Sequence, residues 1–214
     1  MIKLYGPSIS NFFSTAKVAL MEKGLPFEEV TLFPGQHEKV ISLNPMGKVP
    51  FIEVDGKILS EVNVMFDYCE DIKPEPALYP ADPWARAKVK ELIRVVELYL
   101  DAPARRHIAA VYFGAAVDPA TATAVKPELD KGIRTLKALA RFAPYIAGDT
   151  FTFADIAAYF QIRFANLHTE KVYAWNIRDD VPGLGAYLEM LGARESIKTV
   201  DAIMQRDFQA FVNK

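Results

Sequence analysis

A single cysteine, Cys69, is present in 214 residues. That excludes an internal disulfide framework and fits a reducing compartment. Long apolar runs are also missing, and no segment approaches the ~18 uninterrupted apolar residues of a membrane span. The opening MIKLYGPSIS has no basic stretch leading into a long apolar core, so no secretory signal is read there. Neither charge is in excess, with 25 Lys and Arg against 27 Asp and Glu and a net charge of -2. A broad basic face for nucleic acid is therefore not expected. An apolar content of 51% argues against disorder. Histidine is scarce, and His107 and His168 have no partners at metal-ligand spacing, so no metal is expected. These absences lead to the expectation of a cytoplasmic protein with neither nucleic acid nor a membrane among its partners.

What is present begins with alternation. Ile2-Lys3-Leu4-Tyr5 reads as a half-buried strand stopped by Gly6-Pro7. The following SNFFSTAKVALMEKG carries Phe13, Ala16 and Leu20 at helical spacing, with Ser10 in the N-cap position and Gly24 as the C-terminal stop. Phe27 to Leu32 reads as a second strand, parallel to the first across a right-handed connection. A loop through Gln36 and His37 precedes a short helix over 38–43. Gly47-Lys48-Val49-Pro50 then enters the apolar run of Phe51, Ile52 and Val54, Asp55-Gly56 is a hairpin signal, and Ile58-Leu59 returns. Val62, Met65, Phe66 and Cys69 recur at i, i+3, i+4 and i+7, the buried stripe of a third helix, which makes Cys69 a packed core residue. The element order is βαβαββα.

Four prolines between Lys73 and Pro83 interrupt helix and read as a linker. Beyond them the pattern is helical. Val89, Leu92, Ile93, Val96 and Leu100 form one stripe, with Pro103 expected to bend or break the helix. Leu129, Ile133 and Leu136 form another. Thr152 and Asp155 are spaced as a capping box with Asp in place of Glu, and Phe151 and Ile156 as its hydrophobic staple. Ile156, Phe160, Phe164 and Leu167 continue that helix as a core stripe. Ile197, Val200, Met204, Phe208 and Phe211 mark a last one. The expected division is 1–75 as one domain, 76–83 as linker and 84–214 as an all-helical domain.

Three stretches, YGPSISNFFSTAKVALMEKGLPFE, NPMGKVPFIEVDGKILSE and AGDTFTFADIAAY, come in this order and at matching separations. Together they resemble the cytosolic glutathione transferases, of the bacterial and theta-like serine type, over essentially the whole chain. The resemblance implies the glutathione transferase fold: an α/β thioredoxin-like N-terminal domain (βαβαββα) plus an all-α C-terminal domain, assembled as a homodimer. It also implies glutathione as co-substrate and a small electrophile as second substrate.

Glutathione carries a thiol, an ammonium and two carboxylates, so its site needs peptide-like backbone pairing, an acid and anion-stabilising groups. By the resemblance, Val49 precedes a cis proline, Pro50, and offers its backbone N–H and C=O to the cysteinyl part as an added strand would. Glu61 stands where the family keeps an acid facing the γ-glutamyl group, a position that also favours the positive end of the helix. The next residue departs from the family pattern: Val62 replaces a serine or threonine. Its N–H at the helix N-terminus can still receive an anion. One hydroxyl donor is lost, worth about 1.5 to 3 kcal/mol to a charged partner, so weaker glutathione binding is expected. Ser10 matches the serine that stabilises the thiolate, with Ser8 and Asn11 as neighbouring substitutes and Tyr5 as a strand end. Lys48, Gln36, His37 and Lys39 are the candidates for the glycyl carboxylate. Arg105, Arg106, His107, Tyr112 and Phe113, with Leu98, are the candidates for lining a second-substrate site. The implied activity is conjugation or peroxide reduction. The alternatives are a weakly catalytic, transferase-like binding or stress-response protein, and a glutathione-dependent isomerase or lyase.

Overall fold

The computed structural model describes residues 1–33 and 37–212. The chain runs β1 (Ile2–Tyr5), α1 (Asn11–Glu22), β2 (Phe27–Val30), α2 (His37–Leu43), β3 (Phe51–Val54), β4 (Lys57–Ser60) and α3 (Val62–Ile72). It continues with α4 (Pro83–Val96), a π-turn (Glu97–Asp101), α5 (Ala102–Ala104), a 3-10 turn (Arg105–His107) and α6 (Ile108–Tyr112). The last elements are α7 (Pro119–Leu139), α8 (Phe153–Tyr173), α9 (Ile177–Asp180), α10 (Leu184–Gly192) and α11 (Glu195–Val212). Two compact units form: Met1–Leu78 with Arg194–Lys214, and Tyr79–Ala193.

In the first unit the strand order is β2-β1-β3-β4. β1 and β2 are parallel, as the intervening helix requires, and β3 pairs antiparallel with both β1 and β4. Leu4, Val18, Leu20, Phe51, Ile52, Met65 and Phe66 are buried and make the core between sheet and helices. Tyr5 and Phe51 face each other across β1 and β3, and their rings stack 4.7 Å apart. The expected second strand is shorter than its apolar pattern, ending at Val30, whose carbonyl accepts the Gly6 N–H at 3.1 Å.

The last helix belongs to this unit, whereas the composition break at the linker assigns it to 84–214. Polar clamps across a long sequence separation explain the difference. Arg194 grips Glu22 through both oxygens at 2.6 Å, and the Ser196 hydroxyl adds a third bond to the same carboxylate. Ser8 donates to Asp207 at 2.6 Å at the other end of α1. The linker is likewise held here. Lys23, fully buried, reaches Glu70 at 2.8 Å and the carbonyls of Pro74 and Pro76, and Glu70 accepts the Leu78 N–H at 3.2 Å. Removing one member of such a buried pair typically costs about 3 to 5 kcal/mol.

In the second unit α4 starts on Asp82, which accepts the Ala85 N–H at 2.8 Å, with Pro83 at the first helical position. Pro103 has no N–H for the Tyr99 carbonyl four residues earlier. The helix answers with the π-turn directly before it and re-forms as α5, so the expected break is a local widening of the ladder. The widened carbonyl lies against α7 at Gly132, where a Cβ would stand 2.2 Å from the Tyr99 oxygen. Only glycine permits that approach.

The capping box opening α8 forms as its spacing predicts, Thr152 and Asp155 exchanging bonds. Asp155 does more. Its other oxygen accepts the Ile146 N–H and the Tyr187 hydroxyl, both at 2.9 Å. Burial pushes its carboxyl up, against the pull of these donors. Phe151, Ile156 and Phe160 are buried, and the stripe becomes half-buried further on at Phe164 and Leu167.

Candidate active site

The register of the sheet decides which segments meet. Tyr5 pairs with Phe51, and Phe51 with Ser60, so the three residues form one row at one end of the sheet. The chain leaves β1 from that row toward Ser10, enters β3 there from Val49-Pro50, and leaves β4 there into Glu61 and Val62. Segments as far apart in the sequence as Ser10 and Val62 thus emerge together from the same sheet end.

The turn after β1 is built by Gly6 at φ 150, where a Cβ would lie 2.8 Å from the Phe13 ring, and by the Ser10 N–H bonding the Pro7 carbonyl at 3.1 Å. Ser10 has extended backbone and caps α1, its hydroxyl oxygen accepting the Phe13 N–H at 3.3 Å. The oxygen is used as an acceptor, so its proton can still be donated. The neighbouring hydroxyls are committed as donors. Ser8 gives its proton to Asp207, and Tyr5 gives its own to Glu53 at 2.6 Å. That bond, with burial and the carboxylate charge, pushes the Tyr5 phenol up to about 12. Asn11 is buried.

On the facing segment the Val49-Pro50 bond is cis. Pro50 is buried and Val49 half-buried. The approach is set by Asn44, whose amide donates to the Lys48 carbonyl at 2.8 Å while its oxygen accepts the Met46 N–H at 3.2 Å. Lys48 itself is exposed. Asn44 escaped sequence reasoning because its role is carried by bonds to backbone that leave no periodicity.

Glu61 sits at the N-cap of α3 with φ 69 and ψ 115, and makes no side-chain capping bond. Its carbonyl takes the Val64 and Met65 N–H groups at 3.0 Å, and its side chain is exposed. A residue with a Cβ held at positive φ costs on the order of 1 to 3 kcal/mol, and such residues gather at functional sites. Val62 is buried at 6% exposure, packed among the α3 stripe. Cys69 in that stripe is 1% exposed, and burial pushes its thiol up to about 12, as expected of a core residue. Gln36 lies outside the described residues, and His37 opens α2.

The five candidates for a second-substrate surface separate. Arg105 holds the buried Asp101 through two bonds of 2.8 and 3.0 Å and covers the Phe164 ring at 4.3 Å. Tyr112 lies 5.1 Å from His168 and 6.3 Å from Phe164, so Arg105 and Tyr112 border one aromatic cluster. Burial pushes the Tyr112 phenol up to about 12. Arg106 turns outward to Glu128 at 2.8 Å. His107 is 3% exposed and bonds the Tyr173 hydroxyl at 2.8 Å, which in turn donates to the Ala122 carbonyl, and burial lowers its pKa. Phe113 is 64% exposed. Among the described residues no group of His, Cys, Asp or Glu is placed to hold a metal ion, and no helix is long and apolar enough to cross a membrane.

A thioredoxin-like sheet unit whose site is shared by these three segments, together with an all-helical unit in the same chain, defines a class that comparison with known proteins makes specific. Residues 4–77 match the family model "Glutathione S-transferase, N-terminal domain" and residues 119–189 match "Glutathione S-transferase, C-terminal domain". A glutathione S-transferase of Pseudomonas putida is 40% identical over 212 residues, which cover 99% of this chain and 96% of that one. The structure of glutathione transferase Omega 3C from Trametes versicolor superposes with a TM-score of 0.75 at 27% identity, covering 93% of this chain and 88% of the other. A glutathione S-transferase from Methylobacterium radiotolerans, determined in complex with glutathione sulfonate, shares the fold with a TM-score of 0.76 at 23% identity and 93% coverage of both chains. The chain belongs to the glutathione S-transferase family.

Proposed function

We propose that this protein binds glutathione, stabilises its thiolate and directs the sulfur at a small hydrophobic electrophile, or uses it to reduce a peroxide. The observation that carries the reading is the row Tyr5, Phe51, Ser60, from which Ser10, Val49 and Glu61 all emerge. The Pseudomonas putida relative, similar over nearly its full length and named a glutathione S-transferase, supports it.

In this reading the Val49 backbone pairs with the cysteinyl part of glutathione as an added strand. The Glu61 carboxylate receives the γ-glutamyl ammonium. The N–H groups at the start of α3, Val62 among them, receive its carboxylate at the positive helix end. Lys48, exposed on the approach to Val49, meets the glycyl carboxylate, a role that His37 and Gln36 share in this reading. The Ser10 hydroxyl donates to the sulfur. The thiol releases its proton to solvent, the thiolate lone pair forms the new sulfur–carbon bond, and the leaving group departs with the electron pair of the bond that breaks. Ser10 performs this while capping α1, since accepting from Phe13 leaves its proton for the sulfur. Arg105 and Tyr112, beside the Phe164 and His168 rings, offer an apolar surface with one cation for the electrophile. A homodimer in the cytoplasm completes the proposal, and light scattering reporting a monomer at micromolar concentration would overturn the dimer.

The test is retention on immobilised glutathione together with a chromogenic conjugation assay. Retention with turnover is expected. Retention without turnover would convert the reading to a binding module, and loss of both would remove glutathione as the ligand.

A further inference from the structure

Ser8 stands in the turn that carries Ser10, two residues before it, and its hydroxyl is bound by a helix that begins almost two hundred residues later. The Ser8 Oγ donates to the Asp207 carboxylate at 2.6 Å, and α11 carries that carboxylate. Asp207 is itself fixed, with Arg206 on its other oxygen at 2.8 Å. These two hydrogen bonds, with the Arg206 and Lys17 charges, hold its carboxyl below the ordinary range. Arg194 and Ser196 clamp Glu22 at the opposite end of α1. The two helices therefore run antiparallel, pinned at both ends by polar bonds, with Phe13, Ala16 and Leu20 of α1 buried.

The two clamps have different consequences. The Arg194–Glu22 clamp closes on the C-terminal end of α1, remote from the row of Tyr5, Phe51 and Ser60. The Ser8–Asp207 clamp closes on the turn that sets where the Ser10 hydroxyl stands. It also consumes the Ser8 proton, so that Ser8 does not compete with Ser10 for a sulfur anion. We infer that Asp207 is a positioning residue for Ser10: by accepting the Ser8 hydroxyl from α11 it holds the Gly6–Ser10 turn where the Ser10 proton meets the glutathione sulfur. The inference rests on the proposed role of Ser10. It makes the C-terminal helix part of the thiolate-stabilising machinery through the Ser8 bond.

Asp207→Ala, Asp207→Asn, Ser8→Ala and the Ser8→Ala/Asp207→Ala double variant test it, with Arg194→Ala and Ser10→Gly alongside. The readouts are the pH titration of the bound glutathione thiolate by its ultraviolet absorbance, kcat and KM for glutathione, and the melting temperature. Asp207→Ala is expected to lower kcat about tenfold, within the ~10²-fold that a 1 Å misplacement can cost. It shifts the thiolate titration to higher pH with KM little changed. Asp207→Asn, which keeps an acceptor oxygen, restores most of the loss. Ser8→Ala matches Asp207→Ala, and the double variant is no worse than either, because one bond is removed in all three. Arg194→Ala lowers the melting temperature and leaves the titration in place. An Asp207→Ala protein that titrates as the wild type, while Ser10→Gly does not, overturns the inference and spares Ser10. An Arg194→Ala protein with the same shifted titration reduces Asp207 to helix docking and also overturns it. A Ser10→Gly protein that titrates as the wild type overturns the role of Ser10 and the inference with it.

Discussion

In the proposed mechanism Ser10 carries two duties that one substitution separates. Its oxygen accepts the Phe13 N–H at 3.3 Å, a long capping bond. Ser10→Ala would remove the cap and the proton together, costing about 0.5 to 2 kcal/mol of stability and confusing the two effects. Glycine at an N-cap costs only a few tenths of a kcal/mol, so Ser10→Gly is expected to hold stability within about 0.5 kcal/mol. It has no side-chain donor at all. A hydrogen bond to a charged acceptor is worth about 1.5 to 3 kcal/mol, which at 1.36 kcal/mol per unit is roughly 1 to 2 units on the bound thiol. With an unassisted thiol near ~8.5, the thiolate fraction at neutral pH falls about tenfold or more, and kcat/KM falls with it. The defect should shrink as pH rises past the thiol pKa, where the anion forms unaided. Steady-state kinetics across pH, with urea unfolding as the control, measure both duties. A Ser10→Gly enzyme with wild-type kcat/KM at neutral pH would refute the reasoning.

Val62→Thr restores the family's hydroxyl at nearly constant volume: calorimetry should report glutathione binding tightened by about 1.5 to 3 kcal/mol, and the free protein weakened by about 1 to 3 kcal/mol, because the site is buried. Unchanged affinity would mean that no glutathione carboxylate lies at the start of α3. Gly132→Ala drives a methyl group to 2.2 Å from the Tyr99 carbonyl, and overpacking of this kind costs about 1 to 3 kcal/mol, read as a lower urea midpoint. His168 is fully buried, bonds the Phe164 carbonyl at 2.7 Å through Nδ1 and has no partner at Nε2 among the described residues. Burial lowers its pKa from 6.5 to about 4. Between those values the unfolded chain binds the extra proton, so this histidine's contribution is whole above 6.5 and is lost as pH falls toward 4, by about 3 kcal/mol at 1.36 kcal/mol per unit. His168→Gln should flatten that part of the stability profile, and an unchanged acid slope in equilibrium unfolding would show that the proton goes elsewhere.

Local signals carried most of the first unit. Alternation, the Gly6-Pro7 and Asp55-Gly56 turns and the stripe of α3 predict the βαβαββα order, and the structure has it. The capping box at Thr152 forms because both partners lie within one turn. The expected helix at 38–43 appears as His37–Leu43. The apolar stripe of α11 shows that a helix forms but not which unit it joins, since apolar packing is indifferent to its partner. Glu22 and Ser8 made that choice through Arg194, Ser196 and Asp207.

The same division runs through the candidate site. Ser10, Val49, Pro50, Glu61 and Val62 were named from motif resemblance, each motif being contiguous. The triplet Arg105-Arg106-His107 looked like one basic cluster in the sequence. Helical rotation and partner choice sent Arg105 to Asp101, Arg106 to Glu128 and His107 to Tyr173.

By itself, then, the sequence determined the elements, their caps and turns and the family, because those depend on neighbours within a few residues and on motifs that keep their order. Only the tertiary structure decided that Ser10, Val49 and Glu61 share one sheet end, that Gly132 must have no side chain, and that Ser8 answers to Asp207. Each of those depends on strand register or on bonds across long separations, and nothing in a linear pattern states which distant partner a polar group will find.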